Sequence, residues 1–257
     1  MQNFDPNVDQ NVIVLGYSEV NDGGGGTFYW VVNDTSATDG GTIFTSNVPG
    51  ANGRWKRNWN GGALNVRWFG AKGDGRAGGG NAIQSALDAA GPGSDPNNPR
   101  IIRSVYVPNG SYNVSQTLII ENTNTLVHLD RTIFGDGEQS YIYCTTSFTG
   151  AILRKLIRGD IPHGDIQHGN VLRVESVRFD AQSTTSIGIL VETLNASTSD
   201  KQGPDLIVML CSFVGPGTGI KLIGVREPQI GDSSFNIGQV GISLNKTSNP
   251  AVNGCYF

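Results

Sequence analysis

Four acidic side chains, Asp180, Glu192, Asp205 and Asp232, lie where short strands would carry them outward on a ladder. Two carboxylates about 5–5.5 Å apart suit a double displacement at a glycosidic carbon, and about 6.5–9.5 Å a single displacement by water. A base beside a charge-neutralising group suits elimination next to a uronate instead. Glu192 and Asp205 bracket a long loop, a natural wall for a glycan groove. No spacing singles out a catalytic pair, and each acid also reads as ordinary surface charge. A second group, Asp160, His163, Asp165 and His168, has the side chains of a metal site. Its spacing is not helical, and Gly and Pro run through it, so it reads as a solvated loop. The expectation is therefore no metal and no cofactor. The Arg158-Gly-Asp160 triplet there reads as accidental. Gly70-Ala-Lys-Gly-Asp-Gly75 lacks both a Gly-Lys-Ser/Thr ending and G-x-G-x-x-G spacing, and reads as a tight turn rather than a phosphate loop.

Composition removes several partners. The chain has 257 residues, 18 Lys+Arg and 22 Asp+Glu, for a net charge of −4. Without a basic run it is a poor fit to nucleic acid. No apolar run approaches the roughly 18 residues of a membrane helix, so no membrane insertion is expected. The start, MQNFDPNVDQNV, has neither the basic nor the apolar region of a secretory signal. Three cysteines, 144, 211 and 255, read as free buried thiols. The Asn-x-Ser/Thr triplets at 33, 109, 113, 195 and 245 are expected by chance in an Asn-rich chain.

The elements are almost all strands. Short β-branched and aromatic runs (27–32, 41–45, 104–107, 117–120, 141–144) end at Gly, Asn, Asp or Pro. One helix is expected over 81–90, with Asn81 as its N-cap and Gly91 as its stop. Its Ile83, Ala86, Leu87 and Ala90 share a face. Residues 91–99 read as a loop. All four tryptophans (30, 55, 59, 68) lie in the first 68 residues. They suit a small β core better than a sugar-stacking surface. The Asn-Gly-Gly of 60–62 marks a boundary. The expected division is a β unit over 1–62, a neck and capping helix over 63–100, and a solenoid over 101–257.

The last third repeats. Phe213, Phe235 and Phe257 recur every 22 residues, as do Gly219-Ile220 and Gly241-Ile242. Val208, Ile230 and Val252 precede each Phe by five residues, and Cys211, Ser233 and Cys255 by two. An earlier copy fits Val174, Val177, Phe179, Gly188-Ile189 and Val191, with twelve extra residues before the next Phe. A period in the low twenties with β-type residues means a solenoid. The leucine-rich pattern is absent, which leaves a right-handed parallel β-helix. The Phe, Val and Cys/Ser columns would stack inside, and Gly231-Asp232 and Asn253-Gly254 would share a turn column.

Asn65-Val-Arg-Trp-Phe-Gly-Ala-Lys-Gly-Asp-Gly75, then AIQSALDAA, then Val105-Tyr-Val-Pro-Asn-Gly-Ser-Tyr112 resembles the opening of pectate-lyase-superfamily β-helices. Thr132-Ile-Phe-Gly-Asp-Gly-Glu-Gln-Ser-Tyr-Ile142 resembles a later coil of that family. Arg76-Ala-Gly-Gly-Gly80 departs from its Thr/Asp-rich run. The Gly23–Trp30, Asp39–Phe44 and Gly53–Arg57 stretches are similar to the segment preceding the helix in bacteriophage tailspikes. That resemblance implies a virion protein, made in the host cytoplasm, that acts outside the cell. It implies a homotrimer that docks on phage tail or baseplate proteins through its N-terminal unit. It also implies a grip on a bacterial surface polysaccharide, by a depolymerase (hydrolase or lyase) or by a non-enzymatic fibre. A cellular polysaccharide enzyme is a third reading, disfavoured by the absent signal. The capping helix would cover the first rung's apolar end. The repeat stops partway through a coil at Phe257, so further coils, with the catalytic residues, are expected to follow.

Overall fold

The computed structural model describes residues 2–91, 103–121, 130–158, 171–194 and 205–257. Near the N-terminus four antiparallel strands, β1 (Asn11–Val14), β2 (Gly26–Val32), β3 (Ile43–Phe44) and β4 (Gly53–Arg57), pair in the order β1-β2-β4-β3. Alternation sends Val12, Phe28 and Trp55 into one small core, with Trp30 edge-on to Trp55. Trp55 is fully buried, as a β core demands.

From Leu64 onward the chain winds as a right-handed parallel β-helix with three faces. Right-handedness is the rule for parallel crossovers. The first face stacks Leu64–Asn65, Arg103–Val107, the first halves of Arg131–Cys144 and Leu172–Asp180, then Leu206–Met209, Gln229–Gly231 and Ala251–Asn253. The second stacks Gly110–Val114, the second halves of the two long strands, Ser212–Gly215 and Ser234–Ile237. The third stacks Leu118–Glu121, Gly150–Arg158, Ser186–Leu194, Thr218–Ile223 and Val240–Asn245. In the early coils residues 122–129, 159–170 and 195–204 follow the third face and precede the first, and residues 92–102 follow the helix. These segments lie outside the described residues.

The expected columns are present in register. Phe179 pairs with Phe213 and Phe213 with Phe235, while Val174, Val208, Ile230 and Val252 align. Ring centroids along Phe179, Phe213, Phe235 and Phe257 are 5.5, 4.9 and 5.0 Å apart, with planes within 10°. The glycine column has a physical cause. A Cβ on Gly188, Gly219 or Gly241 would stand 2.9–3.0 Å from the ring of Phe213, Phe235 or Phe257 on the next rung. At Gly188 and Gly219 the carbonyl oxygen of the next rung's glycine is closer still, at 2.7 and 2.6 Å, so ring and backbone together occupy the space that a side chain would fill. Cys211 and Cys255 sit in one inward column with Ser233 between, and all three cysteines are free.

The helix, α1 (Gly79–Ala89), buries Ala82, Ile83, Ala86 and Leu87 against the first coil. The reading of Asn81 as N-cap is corrected. The N-cap is Gly78, at φ 108°, and Asn81 lies inside the helix, exposed. Gly79 and Gly80 lie so close to the strand Gly110–Val114 that a Cβ would be 3.3 and 3.2 Å from the Tyr112 and Val114 Cα atoms. The three glycines of 78–80 thus let the helix begin early and press onto the sheet.

Candidate functional site

Of the four proposed acids, Asp180 has the richest surroundings. It ends the strand Leu172–Asp180, nearly buried. Its Oδ2 accepts from the Tyr141 hydroxyl one rung away and from Gln182 Nε2 at 3.1 Å. The Gln182 amide also reaches Tyr141 Oη at 3.3 Å. The Arg178 guanidinium lies 4.8 Å over the Tyr141 ring and pairs with Glu138 at 3.4 Å. Tyr143 stacks beside Tyr141 with centroids 5.1 Å apart, and its hydroxyl donates to the Gly75 carbonyl at 2.6 Å. Local sequence explains the placement. In Tyr141-Ile142-Tyr143 the middle residue is buried, so both tyrosines turn outward.

Burial first, and then the Asp180 carboxylate, push the Tyr141 phenol up to about 12. It therefore stays a proton donor throughout the neutral range. The carboxylate, the phenol and the amide thus satisfy one another across two rungs, with the Arg178 guanidinium lying over the Tyr141 ring at their edge. On the first face Tyr106 stacks on Phe134 at 5.2 Å and donates to Asp136 at 2.9 Å.

The other three acids are placed separately. Glu192, on the third face, is held by the Arg154 guanidinium. Asp205 is buried where the chain enters the first face. Its Oδ2 accepts from Arg226 N at 3.0 Å, and its carbonyl accepts from Lys155 Nζ at 3.1 Å. Asp232 is exposed and occupies the left-handed corner between the first and second faces, at φ 46°. Its N–H donates to the Asn253 carbonyl at 3.0 Å, which is the shared turn column with Gly254. The structure gives no two of the four acids a common hydrogen-bond partner among the described residues. Asp160, His163, Asp165 and His168 lie outside the described residues. Elsewhere, no group of three or more His, Cys, Asp or Glu is placed to hold a metal among the described residues.

Gly70–Gly75 is an irregular loop that turns through left-handed glycines at 70, 73 and 75. Arg76 N donates to Asp74 Oδ1 at 3.0 Å, and Asp74 bridges to Ser111. Sequence reasoning missed Tyr141, Tyr143, Arg178 and Gln182. The available signal was the Tyr-Ile-Tyr alternation, which turns two large aromatics toward solvent on a solenoid strand.

Residues 63–257 match the rhamnogalacturonase A/epimerase, pectate lyase-like family, with strands of one coil stacked in register on the next. The chain belongs to that family. Residues 1–60 match the phage tail protein small four-stranded beta-sheet domain. The sequence matches no curated protein. Among solved structures, the chain is similar to full-length tailspike protein 2 from an Escherichia coli O157:H7 bacteriophage. Identity is 16% and the TM-score 0.55, over 99% of this chain and 39% of that one. The enzymatically active domain of Bacteriophage CBA120 tailspike protein 2 gives a TM-score of 0.60 at 16% identity, again over 99% and 39%. At this identity the likeness is one of fold, and the chain spans about two fifths of each of those proteins.

Proposed function

We propose that this chain is part of a phage tailspike. Its N-terminal sheet attaches to the tail or baseplate, and its β-helix binds and depolymerises a bacterial surface polysaccharide. The observation that carries this reading is the pairing of two matched units in one chain. A phage-tail sheet is followed directly by a pectate lyase-like solenoid. The active unit is a homotrimer carried on the virion and made in the host cytoplasm. Tyr141, Arg178 and Gln182, part-exposed around the nearly buried Asp180, are the described side chains assigned to the glycan.

A second reading, a non-enzymatic fibre whose solenoid serves as a stalk, draws on a specific observation. Glu192 and Asp205 are committed to structural partners, and no two of the four acids share one. Incubation with capsule or O-antigen tests both. Released oligosaccharide supports the depolymerase, and a new ultraviolet-absorbing double bond identifies a lyase. Retention of the glycan without release supports the fibre. Neither binding nor release would reject both.

A further inference from the structure

Two arginines and one loop join the N-terminal sheet to the solenoid. Arg57, the last residue of β4, is buried. Its Nε donates to the Gly41 carbonyl at 3.0 Å, Nη1 to Gly25 at 2.7 Å and Nη2 to Gly24 at 2.8 Å. The guanidinium lies between two rings, 4.6 Å from Phe28 of the sheet and 4.6 Å from Trp68 of the solenoid's first turn. Trp68 is in turn edge-on to Trp59 in the connecting segment. One planar cation thus bridges the two hydrophobic cores.

Arg67 makes a second bridge. Its Nη1 donates to the Asp22 carbonyl at 3.3 Å, and its Nη2 to the Asn109 carbonyl of the solenoid at 2.8 Å. The loop that Arg67 grips is itself braced. The Asp22 carboxylate accepts from the backbone N–H groups of Tyr17, Ser18, Glu19 and Gly24 at 2.7–3.0 Å. Tyr17 rests its ring on Gly70, and Glu19 pairs with Lys72 at 3.0 Å.

We propose that Arg57, Arg67 and the Asp22-braced loop form a clasp that locks the N-terminal sheet to the capped end of the β-helix. The two units then move as one body. A push on the sheet reaches the solenoid through ring stacking and a guanidinium fork, not through a slack linker. The clasp does not depend on whether the solenoid is an enzyme or a stalk.

Hydrogen exchange on the whole chain tests it, comparing residues 15–25 and 53–58 with residues 172–194 and 206–223. In the parent, all four segments are protected. Trp68→Ala raises exchange in the first two segments about tenfold or more and leaves the last two unchanged. Arg67→Gln, which removes no ring, does the same for 15–25 alone. Three results overturn the clasp. One is a parent in which 15–25 exchanges freely while the solenoid is protected. Another is a pair of variants with no effect. The third is a pair that loosens all four segments equally, which means general destabilisation.

Discussion

Phe235 is fixed by its neighbours above and below, with Phe213 and Phe257 stacked on its two sides. Phe235→Ala leaves a cavity in a close-packed column and lowers stability by about 3–5 kcal/mol in a urea titration. Gly219→Ala places a Cβ 2.9 Å from the Phe235 ring and costs about 1–3 kcal/mol by overpacking. A double variant with the ring removed should recover only the part of that loss owed to the ring, because the Gly241 carbonyl oxygen, 2.6 Å from the new Cβ, stays in place. Burial pushes the Cys211 thiol up to about 12, so it stays a thiol at pH 8. Timed alkylation read by mass spectrometry should label the half-buried Cys255 well before Cys211. At this scale the sequence is legible wherever one residue type repeats at constant spacing. The Phe, Val and Cys/Ser columns follow from the 22-residue period alone. The Tyr141–Asp180 contact does not. Phe134 and Glu175 pair at a separation of 41, but Tyr141 and Arg178 at 37. The residues between, around Gly135–Gln139, loop out at the corner, and no fixed period survives such an excursion.

The capping helix and the clasp loop are elements with separate tests. Ile83 is fully buried where α1 covers the first coil. Ile83→Asp buries a charge, removes the cover and exposes strand edges, so aggregation should rise in light scattering on mild heating. The clasp loop responds to acid. Burial raises the Asp22 pKa, but four backbone N–H donors outweigh it and hold the carboxyl at about 2, below its ordinary 3.8. Because the folded value is depressed, the stabilisation is complete above the ordinary value. It is lost as pH falls toward 2. Asp22→Asn should cost about 1 kcal/mol at neutral pH, allowing for solvent screening, and flatten the acid limb of a stability-versus-pH curve. The early start of α1 was missed because Gly is a poor helix former on its own account. Its place there depends on the Gly110–Val114 strand lying against it, a contact that local preference does not encode.

For the whole molecule, oligomeric state is the first measurement. Light scattering on the purified chain should return three times the monomer mass if the trimer forms from these residues. A monomer would count against the proposed homotrimer. The architecture itself was readable from period and composition, because a solenoid repeats its core at every coil. The joint between sheet and solenoid was not, since Arg57 finds Gly24, Gly25 and Trp68 only after both units have formed.

The interlocking of phenylalanine and glycine sets the kind of change this gene can accept. Each ring on one coil fits the gap left on the coil before, so the match is made between neighbouring coils and not within one. Loss or gain of a complete 22-residue coil leaves every junction of the same kind as before. Loss or gain of one residue inside the late coils puts every later ring out of step with its gap. Descendants of such a sequence should differ in length by whole coils there, and by arbitrary amounts only in the long connections between the third and first faces.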